Sequence, residues 1–133
     1  MASTRDETEI RQIVEDWASA VRKRDLDGIL RNHSPDVLMF DVPPPMQSKG
    51  IDAYRTTWDL FFSWSHDPAV FDIREMTVTA GQEVAFVTAL MRCAGTESGG
   101  EDIELDFRLT IGLCKIDGRW VITHEHHSIP AVQ

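Results

Sequence analysis

Apolar residues recur at Ile10, Ile13, Val14, Trp17 and Val21, the three-or-four spacing of one helix face. Thr4 followed by Glu7 reads as a capping box ahead of them. Arg22, Lys23 and Arg24 suit the negative end of the helix dipole. The pattern predicts a first helix over residues 5–23. Asp25 then caps a short second helix holding Leu26, Ile29 and Leu30. Ser34-Pro35-Asp36 reads as a turn. Val37 to Val42 reads as a short strand, stopped by Pro43-Pro44-Pro45 because proline cannot donate to a ladder. Behind Gly50, a third helix over 51–64 carries Ile51, Tyr54, Trp58, Phe61 and Phe62 on one face.

The second half alternates instead. Residues 70–79, 83–94, 102–116 and 119–127 read as strands. They are separated by Ala80-Gly81-Gln82, the stretch 95–101 and the hairpin signal Asp117-Gly118. Phe71 and Ile73 have one parity and Met76 and Val78 the other, which a bulge near Arg74-Glu75 reconciles. In 83–94 both parities are apolar: Ala85, Val87, Ala89 and Met91 on one side, Val84, Phe86, Thr88 and Leu90 on the other. Such a strand is covered on both faces, so a second subunit is expected on the outer one. Long antiparallel strands coil. The expectation is one α+β domain over 1–133, its curved sheet partly covered by three N-terminal helices and leaving a polar pocket.

Composition narrows the partners. The chain has 133 residues, 42% hydrophobic and 26% charged, with a formal net charge of −9. That acidity argues against nucleic acid and against anionic lipid. The first residues contain no apolar core of a signal peptide, and no apolar run approaches membrane-spanning length. A cytoplasmic location with Cys93 and Cys114 reduced is therefore expected.

Candidate chemistry lies in the strand ends. Asp41 follows a strand and precedes the proline run, a position that can point into a cleft. A carboxylate desolvated there could serve as a general base, although an Asp before such a turn also serves as its cap. From 104 to 112, Leu105, Phe107, Leu109 and Ile111 share one parity, and Glu104, Asp106, Arg108 and Thr110 the other. Solvent is the simple destination for that polar row, with Arg108 and Thr110 better placed to be internal because they lie mid-strand. By the same parity, Trp120, Ile122, His124, His126 and Ser128 share a face. His124 and His126 are then either structural imidazoles or proton-transfer groups. A zinc could take that pair with Asp41 or Glu104, but spacing fixes no third ligand, and no cofactor is implied. No glycine-rich phosphate loop and no Gly-x-Ser-x-Gly elbow occur.

Several segments together resemble the nuclear transport factor 2-like superfamily over nearly the whole chain. They are Asp25-Leu26-Asp27-Gly28, Phe40-Asp41-Val42-Pro43-Pro44, Gly50, Asp117-Gly118-Arg119-Trp120 and His124-Glu125-His126-His127-Ser128-Ile129-Pro130. They are most similar to its SnoaL-like and ketosteroid isomerase-like branch. The resemblance implies a conical half-barrel of mostly antiparallel sheet, a small-molecule pocket between sheet and helices, and a homodimer formed through the outer sheet face. In ketosteroid isomerases the base is an Asp after the first short strand, where Asp41 falls. Trp17 stands where those enzymes place an oxyanion-binding Tyr, which argues against steroid isomerisation.

The enzyme reading follows. Asp41, His124 or His126 would move a proton next to a carbonyl, and Arg108 would hold the oxyanion. Trp17, Tyr54, Trp58, Phe61, Asp106 and Thr110 would line the site of an isomerase, cyclase or dehydratase. The alternatives are a ligand-binding module anchored by Arg108 and a dimeric protein-interaction domain.

Overall fold

The computed structural model describes residues 4–97 and 99–131, and the side chains of all of these except residues 66–69. Ser98, within the expected loop 95–101, lies outside the described residues, as do residues 1–3.

The apolar stripe of the N-terminal segment forms α1, Thr4–Arg22, burying Ile10, Ile13, Val14, Trp17 and Val21. Thr4 is already helical, so it does not act as the expected cap. The helix ends with Arg24 at φ 55°, Asp25 N–H bonding Ala20 O and Arg24 N–H bonding Val21 O. This is the left-handed stop usually given to glycine. Arg24 tolerates it with its guanidinium anchored elsewhere: it donates to Phe62 O at 2.6 Å and Ser65 O at 2.7 Å and stacks over the Phe62 ring. The cation expected at the end of α1 thus caps a different helix.

Helix α2, Leu26–Leu30, starts as expected from Asp25, whose carboxylate accepts from Gly28 N–H at 3.1 Å. Strand β1, His33–Phe40, pairs with the two-residue β2, Ser48–Lys49. Ser34-Pro35-Asp36 therefore lies inside a strand, not at a turn. Its tendency survives as a break in pairing between His33 and Leu38, where Ser34 Oγ takes Asp36 N–H at 3.1 Å. Helix α3 is Ile51–Trp64, burying Tyr54 and Trp58.

The meander is β3 (Ser65–Ala80), β4 (Val84–Glu97), β5 (Asp102–Ile116) and β6 (Arg119–Ser128). The sheet order is β2-β1-β6-β5-β4-β3, antiparallel throughout except where β1 runs parallel to β6. The sheet is curved and unclosed, with the three helices packed on it, giving an α+β half-barrel. The register of β3 slips at Arg74, as its mixed parity predicted. The core fills the concave side with Phe71, Val87, Met91, Leu109, Ile111 and Ile122 among others. No helix among the described residues is long and apolar enough to cross a membrane. Both cysteines are free.

Candidate functional site

Among the described residues the concave side holds one fully buried carboxylate, Glu125 on β6, with no exposed surface. It arrives there through a second bulge. Gly112 of β5 pairs with His124, but Leu113 pairs with Ile122, so Thr123 is the extra residue. Its hydroxyl donates to Gly112 O at 3.3 Å. One added residue moves every later side chain to the other face. Trp120 and Ile122 point inward before the bulge, Glu125 and His127 after it.

That bulge corrects the parity reading of β6. His126 is exposed, and His124 is half-buried, its Nδ1 hydrogen-bonded to Leu38 O at 2.7 Å. Both rings stand edge-on to Phe40. Arg108 and Thr110 are also exposed, not internal, because the inward parity of β5 belongs to Phe107, Leu109, Ile111 and Leu113. Arg108 donates to Ser128 Oγ at 3.1 Å. Asp106 lies 3.7 Å from Arg92, which also pairs with Glu104. Arg108, Asp106, Thr110 and His126 thus sit apart from Asp41, which the structure brings to the inner cluster. Among the described residues no three His, Cys, Asp or Glu side chains converge on a metal position.

Three side chains hydrogen-bond to Glu125. Tyr54 Oη donates to Oε2 at 2.7 Å, and Trp17 Nε1 donates in turn to Tyr54 Oη at 3.1 Å. His33 Nε2 pairs closely with Oε2, while His33 Nδ1 meets Arg31 O at 3.0 Å. His127 Nε2 meets Oε1 at 3.1 Å. The other nitrogen of His127, Nδ1, faces Asp41 Oδ1 at 3.9 Å, beyond direct hydrogen-bond reach. Asp41 Oδ1 also accepts from Val42 N–H at 2.8 Å, so the turn-capping reading of this residue has support alongside the functional one. A quarter of the Asp41 side chain is exposed, against 8% for His127.

The electrostatics follow from this packing. Burial pushes the Glu125 carboxyl upward, but the charge of His33 and the hydrogen bonds from His127 and His33 outweigh it and hold the group at about 2. Glu125 is therefore an ionised acceptor. Burial, then the charge of Glu125, pushes the Tyr54 hydroxyl well above its usual value, so it remains a donor.

Around His127 the walls are aromatic. Its ring stacks on Phe107 at 5.3 Å and stands edge-on to Trp17 and Trp58. Phe61 is half-buried against Trp58. Of the expected lining, Trp17, Tyr54 and Trp58 are therefore in the cluster, but the polar atoms of Trp17 and Tyr54 are used inside it. Trp58 Nε1 is buried and makes no hydrogen bond of good geometry, although it lies close enough to the Tyr54 hydroxyl to favour its ionised form.

Two depressions formed by the described residues stand out. One of about 600 Å³ lies on the outer face of the sheet, lined by Arg74, Leu90, Asp106 and Arg108 among others. A smaller one of about 260 Å³ lies beside α1 and α2. Neither is lined by Asp41, Glu125 or His127.

Sequence reasoning missed Glu125, His127 and His33. The signal for the first two was Ile129. It is seven residues after Ile122 and of opposite parity, yet it packs against the same core. An inward apolar residue that changes parity announces a bulge between the two.

The chain matches the family model described as SnoaL-like domain over residues 10–132. No curated protein matches it. Among solved structures it is similar to a nuclear transport factor 2-like protein of unknown function from Pseudomonas putida. Identity is 35%, coverage 98% of this chain and 90% of that one, and the TM-score 0.88. It shares its fold with a nuclear transport factor 2-like superfamily protein from Salmonella enterica, at 15% identity, 98% and 94% coverage and TM-score 0.85. It also shares its fold with a ketosteroid isomerase-like protein from Erwinia carotovora, at 16% identity, 95% and 97% coverage and TM-score 0.82.

Proposed function

Because the chain belongs to the SnoaL-like domain family of the nuclear transport factor 2-like superfamily, we propose that it performs acid–base chemistry next to a carbonyl, on a small molecule held at Asp41 and His127. The observation that carries this reading is the buried Glu125 with His33, Tyr54 and His127 on its oxygens. A buried ionic network is a poor stabiliser, since apolar packing of the same volume does as well or better. Groups so placed are candidates for function.

The chemistry divides between the two residues. Asp41, partly exposed beside the rigid Pro43-Pro44-Pro45 run, takes the proton from the carbon next to the carbonyl. The C–H electron pair moves into the new carbon–carbon double bond. The carbonyl oxygen, becoming an enol, accepts a proton from Nδ1 of the imidazolium form of His127, whose other nitrogen donates to Glu125. Return of the proton from Asp41 to a different carbon, as the enol O–H gives its proton back to His127 Nδ1, completes an isomerisation. In a cyclisation the enol carbon attacks a second carbonyl, whose oxygen takes the proton from Asp41 while the enol O–H proton returns to His127. His127 takes the role first considered for His124, His126 and Arg108.

A test that needs no known substrate is solvent exchange. The protein is incubated in D₂O with a panel of small ketones and esters, and loss of the α-proton is followed by NMR. Wild type exchanges at least one compound, and Asp41→Asn slows it by about 100-fold or more. An Asp41→Asn variant as fast as wild type removes Asp41 from the mechanism, and a wild type inert across the panel contradicts the reading.

The outer sheet face supports a second proposal, a homodimer. Val84, Phe86 and Leu90 of β4 and Ile116 of β5 are all exposed there, a row of apolar surface that a second copy would cover.

A further inference from the structure

We infer that His33 is a positioning residue. Acting through Glu125, it fixes which nitrogen of His127 carries the proton, and so turns Nδ1 of that ring toward Asp41 as the nitrogen free to exchange one. This deepens the acid–base reading above and rests on it for its functional meaning, but the geometry stands on its own.

The argument is one of donors and acceptors. The His33 side chain is fully buried, so water does not complete its hydrogen bonds. Its Nδ1 meets a backbone carbonyl, Arg31 O, which can only accept. Its Nε2 meets Glu125 Oε2. A ring that faces an acceptor at each nitrogen is satisfied when it donates from both, and it is then a cation against the carboxylate. The ring also lies on Tyr54, centroids 4.5 Å apart, which prevents it from turning away.

Glu125 passes this on. With His33 and Tyr54 both on Oε2, Oε1 is left for His127. An ionised carboxylate has no proton to give, so His127 Nε2 must be the donor. The neutral His127 ring then holds its lone pair at Nδ1, the nitrogen 3.9 Å from Asp41. Hydrogen bonding at one nitrogen of an imidazole fixes the role of the other. Remove the cation at position 33 and Glu125 loses the largest influence that keeps it ionised, so only the hydrogen bonds of His127 and Tyr54 oppose burial. The carboxyl then takes up a proton and becomes able to donate to Nε2, and the His127 proton moves to Nδ1.

The test is ¹⁵N NMR of the histidine rings in the full chain, at a pH where His127 is neutral. In wild type His127 shows a protonated Nε2 and an unprotonated Nδ1. In His33→Gln, which keeps a donor and loses the charge, the two resonances exchange character, each moving by tens of ppm. A folded His33→Gln protein whose His127 still carries its proton on Nε2 overturns the inference. Should that variant not fold, wild type alone decides. Proton-bearing signals from both His33 nitrogens at neutral pH support the inference, and a His33 ring with a single protonated nitrogen overturns it. No substrate enters either measurement, so an inert α-proton panel beside a fixed His127 tautomer defeats the proton-transfer reading and leaves this one standing.

Discussion

A carboxylate without exposed surface is costly unless its neighbours hold its charge, and Glu125 has donors on both oxygens. Truncating it leaves His33 buried and uncompensated. Glu125→Ala should therefore lower the unfolding free energy by about 3–5 kcal/mol, measured by urea denaturation at neutral pH. The pH dependence has a definite sign. Because Glu125 is held near 2 when folded against an ordinary 4.5, its contribution is complete above about 4.5 and drains away as pH falls toward 2. The gap in urea midpoint between wild type and Glu125→Gln should narrow across that window, and a gap of constant size would contradict the assignment. At this scale the sequence was half readable. The placement of Asp41 at the end of β1 was legible because a proline run follows it. Glu125 and His127 were not, because nothing about a Glu or a His says which face it occupies until the strand's register is known.

Register is a property of the element, and β6 shows why period-two reading fails there. In β3 the slip at Arg74 was visible because apolar residues stand on both sides of it, Ile73 before and Met76 after. In β6 the residues after Thr123 are polar until Ile129, so the change of parity carries almost no hydrophobic signal. Deleting Thr123 removes the extra residue and should restore strict alternation with Ile122, Glu125 and His127 still on the inner face. That variant should keep a cooperative thermal transition. Loss of that transition would show that Thr123 is not the extra residue. The cap of α2 was more legible, since Asp25 behaves as its type suggests, whereas Thr4 does not cap α1. A Cβ at Gly28 would lie 2.6 Å from Asp25 Oδ2 and 2.9 Å from the Ala20 Cβ. Gly28→Ala is expected to destabilise by about 1–3 kcal/mol, read from the same denaturation curves. Arg24 escaped the reading because its partners, Phe62 O and Ser65 O, are tertiary and about forty residues away.

For the whole molecule, the order of three helices and a long meander was enough to give the half-barrel, because each element's pattern agreed with its place. The outer face of β4 was legible too: Val84, Phe86 and Leu90 are exposed as a row while Ala85, Val87 and Met91 are buried. If a second copy covers that row, sedimentation velocity at tens of micromolar gives twice the chain mass, and the pair Phe86→Lys and Leu90→Lys gives the chain mass alone. A wild-type monomer would contradict the dimer. The filling of the concave side was not legible, since Trp17, Trp58, Phe107 and His127 could line a space or pack against one another, and which they do depends on side-chain angles that alternation does not encode.

The central claim is that Asp41 and His127 act together on one ligand. The measurement that tests it most directly is α-proton exchange of the fastest panel compound by wild type, Asp41→Asn, His127→Gln and the double variant. Groups that act as a unit are not additive. The account predicts that each single variant loses about 100-fold or more and that the double variant is little worse than either. Losses that multiply, or a His127→Gln protein as fast as wild type, would show that the two residues do not share a reaction.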